Sequence, residues 1–244
     1  MNGEPIDFFQ EMRRGFGLIL AHEGADSAAA ARALADSAFD WFEDNIATQA
    51  EGQPALACTK GCPTCCALRV TATAPEIFLM AHYIRMVEAT PQGAQLQLTR
   101  RIVLAEEATR GRSEQERLDS GRPCPMLIEE ACVLHPVRTL ACRGHAAFSE
   151  EQCRAAASGE EVDVSISAAH LTLRALVQSA LQAALRDRGL PWGLYELNQG
   201  LALTLAEPEL VDDWFAGTDG LAPAALDLDM AALGQAFDEL RTIN

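Results

Sequence analysis

SISAAHLTLRALVQSALQAALRDR, residues 165–188, sets Ile166, Ala169, His170, Leu173, Leu176, Val177, Ala180, Leu181, Ala184 and Leu185 on one face at helical spacing. Gly189-Leu190-Pro191 stops the pattern, as glycine followed by proline ends a helix. A stripe this long must be buried against other elements, and the same period recurs on both sides of it. Downstream, helices are expected at about 193–205, 208–216 and 225–241. Upstream, residues 6–20 form a short amphipathic start. Ser27 is a candidate cap for a second helix carrying Ala31, Leu34, Ala35, Ala38, Phe42 and Ile46. Pro75 suits the first turn of a third, whose stripe is Ile77, Met80, Ala81, Ile84 and Val87. Pro91 and Gly93 then break the chain, and a polar helix runs to about residue 110. No internal repeat, low-complexity tract or convincing alternating strand is present. The expected fold class is all-α, an irregular helical domain with cysteine-rich metal-binding loops between helices. Its expected parts are N-terminal helices (1–50), a cysteine-cluster region (51–160) and a C-terminal helical region (161–244) that completes one unit with the rest.

The totals exclude several function classes. Among 244 residues, 49% are apolar and 22% charged, as in ordinary globular proteins. The formal charge of −16 argues against a nucleic-acid footprint and against adhesion to anionic membranes. The first twenty residues have acids before their basic pair and no long apolar core, so they do not read as a secretory signal. No stretch approaches the roughly 18 apolar residues of a membrane span. The expected compartment is the cytoplasm, where thiols stay reduced and eight cysteines serve as ligands or catalytic groups. A protein partner or a homodimer remains open.

Those cysteines fall in two sets. Cys58-Thr-Lys-Gly-Cys62-Pro-Thr-Cys65-Cys66 places four thiols in nine residues, with Gly61 and Pro63 to bend the backbone. Cys124, Cys132, Cys142 and Cys153 follow after a gap of 57 residues, so a shared site has to be closed by the tertiary fold. Thiolates are soft anionic ligands suited to zinc or to iron–sulfur clusters. The expected metal ligands are Cys58, Cys62, Cys65, Cys66, Cys124, Cys132 and Cys142, with iron–sulfur slightly favoured over zinc. The adjacent pair Cys65 and Cys66 strains chelation of one ion by both, which suggests one thiol on each of two metals or one ligand and one packed thiol. Cys153, in SEEQCRAAAS, is the weakest candidate and reads equally well as a packed bystander. Residues 121–145, with three prolines, two glycines and no sustained period, need something other than an amphipathic face to order them, and a metal would do so. His135 and His145 are possible ligands or supporting groups, with a structural or exposed role favoured. His22, His82 and His170 fall in helical stretches. Arg122, Arg138, Arg143 and Lys60 lie near the thiols and could offset their charge or hydrogen-bond the sulfurs. Catalytic residues are not identifiable, and no cofactor-binding fingerprint appears.

The ordered set Cys58-x-x-x-Cys62-x-x-Cys65-Cys66, Cys124-Pro125-Met126-Leu127, Cys132 to Arg138 and Cys142-Arg143 resembles the YkgJ-type cysteine-cluster family, described as a zinc- or iron-chelating domain. The resemblance covers about residues 55–145. The chain departs from that pattern at His135-Pro136, near an aromatic position, and at Thr139, where proline is usual. Some flagellin lysine methylases look similar in the same run, which implies that a metal-dependent protein-modifying enzyme is conceivable on this scaffold. A thiol–disulfide switch at Cys62 and Cys65 is a further alternative, although Cys-x-x-Cys normally opens a helix in a strand–helix fold. The Cys58, Cys62, Cys65 spacing also matches radical S-adenosylmethionine enzymes, but the repeated strand–helix units of their barrels are missing.

Overall fold

Apolar stripes at helical spacing become helices along most of the chain, which the structure, a computed structural model, describes at residues 5–22, 26–59 and 61–242. The first half supplies α1 (Pro5–Leu20), α2 (Ser27–Gln49), α3 (Ala74–Glu88), the single turn α4 (Pro91–Ala94), α5 (Leu98–Thr109) and α6 (Glu114–Asp119). The second supplies α7 (Leu140–Gly144), α8 (Glu150–Ala157), α9 (Ala168–Asp187), α10 (Leu197–Ala206), α11 (Leu210–Phe215) and α12 (Met230–Thr242). Strands are two residues long. β1 (Thr71–Ala72) pairs antiparallel with β4 (Tyr195–Glu196), and β2 (Leu127–Ile128) with β3 (Ala131–Cys132). The fold is all-helical, and among the described residues no helix is long and apolar enough to cross a membrane.

Helix α9 packs against α1, α2 and α7, while α10 packs against α3 and α5. Small side chains permit the close approach of α2 and α9: Ala31, Ala35 and Ala38 on one, Ala180, Ala183 and Ala184 on the other, are all buried. Arg13 crosses from α1 to α9, where its Nε and Nη2 donate to the Asp187 carboxylate at 2.7 Å each, and it reaches the Phe237 carbonyl of α12 at 3.2 Å. One continuous apolar cluster runs from Phe8 to Phe237.

Several boundaries differ from the sequence expectation for local reasons. The cap of α2 is Asp26, which accepts the Ala29 N–H at 3.0 Å, so Ser27 is the first helical residue and not the cap. Helix α9 begins at Ala168, three residues late, because Ile166 is engaged in a bridge with Ala147 and Ser167 caps the helix. Residues 195–196 are held extended by β1, so α10 starts at Leu197. Ala225 bridges Tyr195, and α12 begins only at Met230. Helix α6 has no apolar stripe to announce it; its signal is the capping box of Ser113 and Glu116.

Residues 121–145 are anchored by apolar burial. Met126, Leu134 and Leu140, each at most 1% exposed, plug this segment into the core. Burial of three such side chains contributes several kcal/mol, about 1.5–3 each. The β2–β3 hairpin adds a turn in which Glu129 (φ 49) and Glu130 (φ 62) both adopt the left-handed conformation.

Candidate metal centre

The cysteines are not confined to loops. Cys58, Cys62 and Cys124 lie in irregular chain, Cys65 and Cys66 in the 3-10 turn Thr64–Ala67, Cys132 on β3, Cys142 on α7 and Cys153 on α8. All eight are free thiols.

Backbone contacts draw the two sets together. The Cys124 N–H donates to the Cys66 carbonyl at 2.7 Å. The Ala57 N–H donates to the Ala147 carbonyl at 2.9 Å, and the Ala147 N–H donates to Cys58 Sγ at 3.3 Å. Helix α8 packs on the 3-10 turn, which sets Cys153 beside the first cluster. Gly61, at φ +93, supplies the left-handed bend between Cys58 and Cys62 that a side chain would strain.

The thiols sense one another. A hydrogen bond with Cys66, then burial, pushes the Cys65 thiol up. Burial pushes Cys124 up to about 12, and the charges of Cys142, Cys132 and Cys65 add to the rise. Cys132 is raised by burial against the opposing pull of Arg138. Cys142 is raised by burial, partly offset by the Thr139 hydroxyl, with Cys132, Cys65 and Glu76 adding to the rise. Cys153 is raised by burial and by Cys58, Cys62 and Cys65. Charge therefore couples Cys65, Cys124, Cys132 and Cys142, and separately Cys58, Cys62, Cys65 and Cys153, while Cys66 hydrogen-bonds Cys65. Among the described residues, however, no three His, Cys, Asp or Glu side chains are arranged to hold an ion between them. The sulfurs are gathered but not converged, and side-chain rotation has to complete any site.

The residues expected to support the thiols divide in their work. Arg143 lies 4.2 Å over the Phe39 ring, pairs with Glu43, and donates to the carbonyls of Arg138 (2.9 Å) and Pro136 (2.8 Å). It braces the loop and makes no hydrogen bond to sulfur. Arg138 approaches His135 Nδ1 at 3.2 Å and acts on the thiols through its charge, felt by Cys142 and Cys132. His135 is exposed, and burial with the charge of Arg174 lowers the pKa of His145. His170 is buried on α9 and lies 2.8 Å from Ser167 Oγ. His22 is exposed, and His82 meets Arg32 at 3.1 Å. Lys60 lies outside the described residues.

Two residues near Cys142 escaped notice as supports. Thr139, fully buried, caps α7 and lies 3.5 Å from Cys142 Sγ, where its hydroxyl donates. A proline there would lack that hydroxyl. Glu76, also fully buried, accepts the Thr73 N–H (2.7 Å), the Thr73 hydroxyl (2.8 Å) and the Leu140 N–H (2.7 Å). It thereby joins the start of α3 to the first residue of α7. The Thr73-x-x-Glu76 spacing of a capping box was a readable signal for the first half of that role.

No family model, curated protein or solved structure matches the chain.

Proposed function

We propose that this chain is a metal-binding protein whose cysteines hold an iron–sulfur or zinc centre. The resemblance to the YkgJ-type family is part of this proposal and rests on the cysteine spacing together with Pro125-Met126-Leu127, Arg138 and Arg143. The observation that carries it is the meeting of two cysteine-bearing segments 57 residues apart, tied at Cys66 to Cys124 and at Cys58 to Ala147. Several of the thiols, Cys124 and Cys132 among them, are partly buried with raised pKa values, a cost that metal binding would offset by stabilising the thiolate. Soft thiolate donors suit iron–sulfur clusters or zinc and disfavour magnesium or calcium.

The proposed ligand set is Cys58, Cys62, Cys65, Cys66, Cys124, Cys132 and Cys142, now joined by Cys153. Its position beside Cys58, Cys62 and Cys65 argues against a bystander. The overlap of the two groups at Cys65, beside Cys66, fits division of the adjacent pair between two metals. Such a centre supplies electron transfer, metal storage or sensing; the protein's part is to present the thiolates, with Thr139 donating to Cys142 and Glu76 fixing its helix. The cytoplasm is the compartment in which this set would stay reduced.

Alkylation footprinting of anaerobically purified protein tests the reading. All eight cysteines are expected to resist alkylation until a strong chelator is added, and then to react together. Uniform reaction without chelator would contradict it. A reversible Cys62–Cys65 disulfide under mild oxidation would replace it with a redox switch.

A further inference from the structure

A cleft opens beside the thiols, between α6, α10 and the segment around Cys66 and Cys124. Its lining includes Cys66, Cys124, Arg117, Arg122, Glu196 and Asn198. Leu68, Val70 and Ala105 give it an apolar side. Within it, space for the centres of water-sized groups is about 20 Å³. That admits a water or one small polar head group, and it is too little for a nucleoside-bearing cofactor.

One buried donor in this cleft, Arg117 Nε, has no acceptor, and the side chains of Arg122 and Asn198 are unpaired among the described residues. Glu196 is already engaged: Oε1 accepts from Arg117 Nη1 at 3.0 Å, and Oε2 accepts the Gln199 N–H at 2.8 Å. Arg117 is 6% exposed, yet its Nε has no hydrogen-bond partner. Asn198 is 7% exposed, and its side-chain amide makes no hydrogen bond among the described residues. Arg122 stands exposed at the cleft, with no ion pair among the described residues. Arg117 and Glu196 cancel, so the guanidinium of Arg122 leaves the cleft with one net positive charge in a protein of net charge −16. A buried, unpaired donor costs free energy that an incoming acceptor recovers.

We propose that this cleft binds one small carboxylate, with its oxygens toward Arg122, Arg117 and the Asn198 amide and a short apolar tail toward Leu68 and Val70. A planar carboxylate suits a guanidinium fork, and the small space favours it over a tetrahedral oxyanion. The cleft shares Cys66 and Cys124 with the proposed centre, but its donors are present whether or not a metal is bound.

Acetate titrated into the full-length protein, both as purified and after chelation, tests this by calorimetry. Saturable binding with a Kd of roughly millimolar order is expected in at least one form. The neutral isostere acetamide should not bind, and inorganic phosphate should bind more weakly than acetate. Arg122→Gln is exposed and should leave folding intact while weakening acetate about tenfold, as loss of a charge-assisted contact does. Asn198→Leu should weaken it as well, and Arg100→Gln on the exposed face of α5 should not. Absence of saturation in both forms, equal binding of acetamide or phosphate, or indifference to both Arg122→Gln and Asn198→Leu would overturn the proposal. Metal content is measured separately on the same samples, so a silent cleft leaves the metal reading standing, and a metal-free protein leaves the cleft testable.

Discussion

Glu76 shows how much one buried side chain holds in place. It has no exposed surface and satisfies three donors, one of them the Leu140 N–H that opens the helix of Cys142. Glu76→Ala strands those donors and is expected to cost about 2–4 kcal/mol, read as a lower urea midpoint at unchanged slope. The same variant should speed alkylation of Cys142 in chelated protein, because the α7 start loses its tether. The raised thiols carry a pH consequence. Cys124 and Cys132 are pushed above the usual 9.0 by burial, so the folded metal-free chain binds more protons than the unfolded chain above that pH. Stability from this source is present below pH 9 and is lost as pH rises toward the folded values, by up to about 1.4 kcal/mol per pH unit for each thiol. Melting of chelated protein between pH 8 and 10.5 should show this loss, and Cys124→Ser should make it shallower. At this scale the sequence was only half legible. The Thr73-x-x-Glu76 box can be read from spacing, whereas the bond from Leu140 to Glu76 joins residues 64 apart and appears only once α3 and α7 meet. The nearness of Cys153 to Cys58, Cys62 and Cys65 was illegible for the same reason, since they are remote along the chain.

Short elements position the thiols, and their contacts are tight. Helix α7 approaches α9 at Gly144, where an added Cβ would meet Arg174 Cβ and Cδ at 2.6 Å. Gly144→Ala should push α7 away from α9 and cost about 1–3 kcal/mol by overpacking. Faster hydrogen exchange in residues 139–145 would register the shift. Helix α8 is held by its Ser149 cap, whose hydroxyl accepts the Gln152 N–H at 3.2 Å. Ser149→Ala should cost about 1 kcal/mol and loosen the turn that carries Cys153, with little effect on α9. Periodicity located the long helices well, because α1, α2, α3 and α9 each bury a stripe wide enough to be seen. It placed the starts of α10 and α12 too early, because pairing with β1 and the Tyr195–Ala225 bridge are long-range and leave no local mark. Helices α6 and α8 are short: SEEQCRAAAS was legible as a polar helical stretch, whereas α6 carries only its Ser-x-x-Glu start as a local signal.

Across the molecule, one core joins the long helices to the cysteine segments through Met126, Leu134 and Leu140. The fold can therefore form around apolar burial alone, and the proposed metal would add to that stability. A ligand that binds the folded state at 100 times its Kd adds about 2.7 kcal/mol, so chelation is expected to lower the melting temperature without abolishing folding. Helical class was legible because it depends on local periodicity. The assembly of the thiols was not, because it depends on how α8 and the 121–145 segment return to the first cluster.

The most direct test of a metal centre is the iron and zinc content of anaerobically purified protein, measured by elemental mass spectrometry against protein concentration. At least about one equivalent of iron or zinc per chain is expected, lost when Cys124 and Cys142 are both replaced by serine while the helical signal persists. Protein that retains neither metal, and melts identically with and without chelator, would contradict the account.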